Sequence, residues 1–191
     1  MKEDIKVLTY QLSRRPRNLI EIKKRCFNQY PQVVVTHPIL EKEDQLNIFP
    51  TTFWLTCPEV KYMIDKLENQ GLIDQLQQKM TNQQEFADEI EKAHQEYASY
   101  RLNLIDDNKL KKIKNNYTGQ YKVLKKSGVG GILEFSGIKC LHTHYADYLA
   151  RGKNPIGELV SEYLDKEFAQ QEILKNCERC KEALEDETSS N

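Results

Sequence analysis

Three residues that could do chemistry lie within five positions of the chain: Cys140, His142 and His144, in the stretch "KCLHTH". On a helix that begins near Cys140, this cysteine and His144 are four residues apart and share a face. If the helix begins just after Cys140, this cysteine and His142 could face one site instead. Thiolates and imidazoles are common ligands of zinc. The spacing therefore predicts a metal or thiol site here and leaves open which histidine belongs to it.

Two further cysteines lie at the ends of predicted elements. Cys26 ends the first predicted strand, and Cys57 ends another strand just before Pro58. A cysteine at a helix N-terminus gains thiolate character from the unsatisfied N–H groups and the helix dipole. Together with Cys140 and a histidine, these thiols could hold zinc, or thiolates at such positions could hold an iron–sulfur cluster. The alternative is that they are small buried hydrophobic residues.

A predicted helix carries His94, Tyr97 and Arg101 on one side, at positions i, i+3 and i+7. His94 is a candidate fourth ligand or general base facing the cysteines, with Arg101 beside it. The alternative is a surface histidine or a core histidine with satisfied hydrogen bonds. The pair Cys177 and Cys180 is half a zinc site at most, and we interpret it as incidental or as an accessory clamp.

Composition narrows the classes of protein. In 191 residues, 28 Lys and Arg nearly balance 29 Asp and Glu, so no global charge favours a polyanionic partner such as DNA. No apolar run approaches the roughly 20 residues that span a bilayer. The N-terminal stretch does not resemble a signal peptide, so we expect a cytoplasmic protein with no membrane partner and with free thiols. The oligomeric state is left open.

The pattern along the chain predicts an α+β fold with a small antiparallel N-terminal sheet of about three strands, covered by helices, and a helical C-terminal half. Strands are predicted at about 19–26, 32–36 and 51–57, with a polar excursion between the last two. Helices are predicted over about 58–70, 83–104, 140–151 and 155 to the low 180s. We expect a single domain over residues 1–183 and a disordered polar tail over 184–191.

Two other stretches could contribute to a site. The glycine-rich loop "SGVGGILEFSG" is predicted to be ordered, to approach Cys140 and to present backbone N–H groups. A locally basic stretch is either a solvated face or the binding surface for a phosphate-bearing ligand. Its members are Arg14, Arg15, Arg17, Lys23, Lys24 and Arg25.

The chain resembles the bacterial domain-of-unknown-function family 501 in several ordered blocks. These blocks are "RC" at 25–26, "PQVVVTHP", "FPTTFWLTCP", "AHQEY", "GGI", "KCLHTHYADYLA" and "NPIG". The resemblance covers about residues 14–157 and implies that Cys26, Cys57, His94, Cys140 and His142 are the site positions. The resemblance makes His144 a weaker candidate than His142, because relatives often carry another residue at position 144. The family has no assigned activity, so the resemblance strengthens the site and not a reaction.

These observations favour a small metal- or thiol-dependent enzyme that acts on an anionic small molecule. Zinc is the expected cofactor, with Cys57, Cys140, His142 and Cys26 as its ligands and with His94 and Arg101 in catalysis. Two alternatives stay open. One is a non-catalytic structural-metal or interaction module, and the other is an iron–sulfur redox or desulfurase-like protein.

Overall fold

A computed structural model of the chain describes residues 2–42 and 45–185. It confirms an α+β fold with a small antiparallel sheet near the N-terminus and a helical C-terminal half. The strands are β1 (Leu19–Arg25), β2 (Pro31–Thr36), β3 (Ile39–Lys42), β4 (Gln45–Ile48) and β5 (Phe53–Leu55). The helices are α1 (Lys2–Leu12), α2 (Pro58–Asn69), α3 (Leu72–Asn82), α4 (Gln84–Asn103), α5 (Asp107–Asn116), α6 (Thr118–Lys126), α7 (Leu141–Arg151), α8 (Pro155–Phe168), α9 (Gln170–Lys175) and α10 (Glu182–Glu185).

The three predicted strands form one sheet in the order β1-β2-β5, with β2 buried at its centre. Along β5, Phe53 and Leu55 are buried and Trp54 between them is half-buried. Because side chains alternate along a strand, Trp54 lies on the face opposite to Phe53 and Leu55. That apolar face packs against α7.

The segment predicted as a polar excursion is instead a hairpin of β3 and β4. Ile39 anchors this hairpin to the helices, because its side chain is buried against Ile105, Ile113 and Leu124. The hairpin is thus the cover of a second, smaller apolar cluster.

Several helices were not predicted. The helices α1, α3, α5 and α6 were absent from the prediction. The prediction of one last helix from residue 155 to the low 180s was wrong, since α8, α9 and α10 occupy this region. Ala169 adopts a left-handed conformation (φ 48°) that ends α8. Residues 184 and 185 of the predicted tail belong to α10, and 186–191 lie outside the described residues.

The larger core lies between the sheet and helices α2, α4, α7 and α8. One polar contact crosses it: the Tyr97 hydroxyl accepts the N–H of Thr52 at 2.6 Å. This contact fixes α4 against the start of β5. In the described part of the chain, no helix has both the length and the apolar character needed to cross a membrane.

Candidate metal centre

Cys140 and His142 lie together at the start of α7. Cys140 is the N-cap residue, with an extended backbone (φ −161°, ψ 150°), and His142 is in the first turn. The extended backbone lets the cysteine fold back beside the histidine. The thiol also lies 3.3 Å from the Thr143 hydroxyl. Of the two arrangements that the sequence left open, the structure has the one in which the helix begins just after Cys140.

Glu68 near the end of α2 is the third member of the site, and the sequence analysis did not single it out. Its Oε1 accepts the backbone N–H of Leu141 at 2.6 Å and lies 3.2 Å from Nδ1 of His142. The Cys140 side chain does not cap α7. The carboxylate of Glu68 therefore satisfies one of the free N–H groups at the positive end of that helix.

The second ring nitrogen of His142 faces α2 as well. Its Nε2 lies 3.3 Å from the carbonyl oxygen of Lys61 and 3.3 Å from Oδ1 of Asp65. A carbonyl oxygen can only accept, so this contact assigns a proton to Nε2. A histidine held in this way presents Nδ1 to Glu68 and Cys140, which is how an outer hydrogen bond usually orients a metal-binding histidine.

The surroundings of Cys140 and His142 favour the charged form of both side chains. Burial alone would raise the pKa of Cys140, but hydrogen bonds from His142 and Thr143 outweigh burial and lower the pKa below its ordinary value. Burial alone would lower the pKa of His142, yet Cys140, Glu68 and Asp65 together raise that pKa. The site thus favours a thiolate beside a positive charge. That positive charge can be a protonated imidazole or a metal ion.

One ligand atom from each of Glu68, Cys140 and His142 lies within 4.8 Å of the other two. The three side chains are all half-buried. Ligand atoms on one tetrahedral zinc ion are about 3–4 Å apart, so small side-chain movements would bring this set onto an ion. Within residues 2–42 and 45–185, it is the one group of three such side chains this close together.

Cys57 and Cys26 lie elsewhere. Cys57 is the N-cap residue of α2, and its electrostatic neighbours are Cys180 and Cys26. Cys180 in turn is near Cys26 and Cys177. We call this group (Cys26, Cys57, Cys177 and Cys180) the four-cysteine corner. The expectation that Cys57 and Cys140 share one site therefore does not match the structure, because the two helix N-termini that carry them face different surroundings.

His94 is fully buried and does not contact the Glu68–Cys140–His142 cluster. Its Nδ1 accepts the N–H of Val129 at 3.0 Å, and its ring stacks on Phe135 with the centroids 4.6 Å apart. Burial and the nearby Arg151 lower its pKa to about 4. His94 is therefore neutral at pH 7, with its proton on Nε2.

The glycine-rich loop packs against His94 rather than against Cys140. A side chain on Gly128 would overlap the His94 ring, since a Cβ there would lie 2.4 Å from Nδ1. Close approach of backbone to ring requires glycine at this position. The loop does reach the neighbourhood of the cluster, because a Cβ on Gly130 would lie 3.1 Å from the Thr143 hydroxyl.

His144 belongs to a buried polar network and not to the cluster. Its Nδ1 lies 3.2 Å from Oδ1 of Asn154, and Asn154 donates to the buried carboxylate of Asp147 at 2.9 Å. Burial lowers the pKa of His144 to about 3. Its Nε2, like that of His94, has no hydrogen-bond partner in the described part of the chain. The two rings meet edge to face, with centroids 5.6 Å apart.

Arg101 is placed where it supports the fold. Its guanidinium is fully buried and donates to the carbonyl oxygens of Leu124, Ser127 and Pro50. These bonds tie the end of α6 and the start of β5 to α4. None of these bonds involves Glu68, Cys140 or His142. The contacts of Arg101 therefore hold the fold together and do not reach the candidate metal centre.

The fold and the cluster together define an α+β protein with a candidate metal centre at the junction of two helix ends. The family described as "Protein of unknown function (DUF501)" matches residues 22–162, and the chain belongs to that family. No curated protein and no solved structure matches the chain.

Proposed function

We propose that this protein is a zinc-dependent enzyme whose metal ion is bound by Glu68, Cys140 and His142. The observation that supports this most strongly is the convergence of three ligand atoms from two helices within 4.8 Å. A three-ligand site leaves the fourth position of a tetrahedral ion for water or substrate, which is the arrangement of catalytic zinc sites. The hydrogen bond from His142 to Lys61 supports the same reading.

Iron–sulfur chemistry is less well supported at this cluster. Such clusters are usually held by four thiolates, and this group has one. A thiol enzyme without metal is the competing interpretation, because the lowered pKa of Cys140 also suits a nucleophile.

Cobalt substitution tests the proposal. We expect metal-free Cys177→Ser/Cys180→Ser protein, which lacks two thiols of the four-cysteine corner, to bind Co²⁺ with the absorption of a thiolate-to-cobalt charge transfer. The added change Cys140→Ser should abolish that band. An added small anion such as azide should perturb the cobalt spectrum, because one position is open. A spectrum that azide leaves unchanged would indicate a closed site and contradict the enzyme reading. No Co²⁺ or Zn²⁺ binding, with rapid alkylation of Cys140, would favour the thiol enzyme.

A different observation favours a second candidate function, the binding of a ring-bearing anion. A cavity of about 220 Å³ lies beside the end of α1 and is lined by Arg14, Arg17, His37, Phe49 and Trp54, among others. Within the described residues, neither arginine makes an ion pair or a side-chain hydrogen bond. Further along the basic stretch, Arg25 pairs with Asp4 and Lys23 with Glu21.

Free guanidinium groups bind phosphate or carboxylate, and the faces of Trp54 and Phe49 suit an aromatic ring. The Nε1–H of Trp54 donates to Thr51 at 3.1 Å, which fixes the ring. Because Trp54 lies on the sheet face opposite α7, this cavity is separate from the metal cluster. A mononucleotide has the required chemistry, and the cavity would bind it without transforming it.

Trp54 is the one tryptophan of the chain, so its fluorescence reports on the cavity directly. We expect ADP to quench it with saturation, and inorganic phosphate alone to bind at least about tenfold more weakly. The double variant Arg14→Ala/Arg17→Ala should lose about tenfold or more in affinity for ADP. Arg15→Ala is the matched control, because this exposed neighbour does not line the cavity. Equal binding in all three proteins would contradict the assignment.

A further inference from the structure

Three segments that carry cysteines meet at the four-cysteine corner. Cys26 directly follows β1, Cys57 directly precedes α2, and Cys177 and Cys180 lie in the turn after α9. About 120 residues separate the last pair from Cys57 in sequence. The corner is thus built by tertiary packing, and it contains four of the five cysteines of the chain.

Hydrogen bonds fasten the C-terminal turn to the segment after Cys26. The side-chain amide of Asn28 donates to the carbonyl of Cys177 at 2.7 Å and to that of Leu174 at 3.3 Å. The turn around Cys26 is itself closed, since the N–H of Cys26 donates to Tyr30 at 2.9 Å. The first and third cysteine segments are therefore held directly against each other.

Two more contacts join the remaining segments. Nε of Arg179, which lies between the paired cysteines, is 2.7 Å from a carboxylate oxygen of Glu59 in the first turn of α2. Gln11 of α1 donates to the sulfur of Cys180 at 3.2 Å and to the carbonyl of Pro31 at 2.8 Å. The C-terminal turn is thus fixed against α2 and against the start of β2.

The four thiols have the right number and chemistry for a metal. Cys57 and Cys180 are buried, Cys26 and Cys177 are half-buried, and all are free thiols rather than disulfides. Four cysteines, two of them in a Cys-x-x-Cys turn, form a complete ligand set for structural zinc. In the described residues, no three of these sulfur atoms lie within 4.8 Å of one another. An ion would therefore have to draw the side chains together.

We propose that Cys26, Cys57, Cys177 and Cys180 form a second, closed zinc site that clamps the C-terminal turn onto the junction of the sheet and α2. This proposal does not rest on the proposed function, since it shares no residue with the Glu68–Cys140–His142 cluster. Cys177 and Cys180 lie beyond the matched family segment, 22–162. The clamp therefore ties a part of the chain outside that segment to two cysteines within it.

Zinc stoichiometry after purification without chelator tests this proposal. We expect two zinc ions per chain in the wild-type protein and one in Cys177→Ser/Cys180→Ser. Cys140→Ser, which changes the other site, should also retain one. Zinc that disappears with the paired cysteines alone would support the corner and contradict the proposed function. Zinc that is lost only in Cys140→Ser would support the proposed function and contradict the zinc site at the four-cysteine corner.

A measurement on the wild-type protein covers the case in which the double variant fails to fold. Chelation should expose the four corner thiols to alkylation and increase hydrogen exchange over residues 174–181. Rapid alkylation of these thiols before chelation would overturn the proposal. So would a disulfide between Cys177 and Cys180 in protein purified under reducing conditions, or an iron–sulfur chromophore that is lost when the pair is substituted.

Discussion

Cys140 and Cys57 both stand at the N-cap of a helix, α7 and α2 respectively, and their surroundings give them opposite properties. Beside Cys140, His142 and Thr143 overcome the effect of burial and lower the pKa of the thiol. Around Cys57, burial dominates and raises the pKa of the thiol to about 12. A helix N-terminus alone therefore does not decide whether a cysteine is a thiolate, and the hydrogen bonds and burial around the thiol do.

The comparison extends to the function of each site. The Glu68–Cys140–His142 cluster mixes three ligand types and provides three ligands, which suits an open, reactive ion. The four-cysteine corner has one ligand type and four ligands, which suits a closed ion that supports the fold. Substitution of one cysteine from each site tests this distinction between an open site and a closed one.

The largest effect is expected from the closed site. Cys180→Ser should lower Tm by about 10 °C or more, because loss of a structural metal costs several kcal/mol and each kcal/mol shifts Tm by about 2–4 °C in a chain of this size. Cys140→Ser should lower Tm by less than about 3 °C. Differential scanning calorimetry of both variants, loaded with zinc, measures the difference. Equal losses would remove the distinction between the two sites.

A second prediction concerns the buried histidines, which belong to neither site. The unfolded chain protonates His94 near its ordinary pKa of about 6.5, whereas the folded chain does so near 4. The stabilising contribution of neutral His94 is therefore complete above pH 6.5 and is lost as pH falls from 6.5 to 4. The loss amounts to about 3 kcal/mol.

Urea unfolding at several pH values checks this. His94→Asn keeps an acceptor for the N–H of Val129 and should reduce the acid-induced loss by most of that amount. His37→Asn is the control, because this half-buried histidine bonds to Ile39 and not to the network of His94. A wild-type profile that His94→Asn does not alter would show that His94 is accessible to protons in the folded state.

The third prediction separates the ligands from their supporting residues in the open site. Glu68→Gln keeps the hydrogen bond to Leu141 and removes a charged ligand. Zinc affinity should therefore fall by about 100-fold or more, the upper end of the loss for an outer partner, with little change in Tm. Asp65→Asn is the matched change on the same helix. The carboxylate of Asp65 is largely exposed (62%) and contacts Nε2 of His142, the ring nitrogen that faces away from the metal. Asp65→Asn should therefore lower zinc affinity by less than Glu68→Gln does. Competition with a chromophoric chelator measures both affinities.

The parts of the fold with clear local signals could be predicted from the sequence. Pro58 and Gly71 bracket α2, and short runs of β-branched and aromatic residues indicate β2 and β5. The helices α5 and α6 were missed because their few apolar positions lie among many lysines. Ile113 and Leu124 pack under the β3–β4 hairpin, and Arg101 binds the carbonyl of Leu124. The members of this cluster do recur every three or four residues, at Leu110, Ile113, Tyr117, Tyr121 and Leu124, so a helical period is present in the sequence.

The candidate site shows the same limit. Cys140 and His142 were accessible to sequence reasoning because their residue types and spacing are unusual. Glu68 was not, because an acidic residue on the polar face of a helix normally contacts solvent. The signal that could have found it is the i, i+4, i+7 spacing of Lys61, Asp65 and Glu68, which places all three on the side of α2 that meets His142.

Zinc K-edge X-ray absorption on the Cys177→Ser/Cys180→Ser protein tests the central claim most directly, because this variant should hold zinc at the open site alone. The account predicts a first shell of one sulfur at about 2.3 Å and three nitrogen or oxygen atoms at about 2.0–2.1 Å. The three light atoms would be His142, Glu68 and an exchangeable water. A shell with two or more sulfur atoms, or a folded variant that binds no zinc, would contradict it.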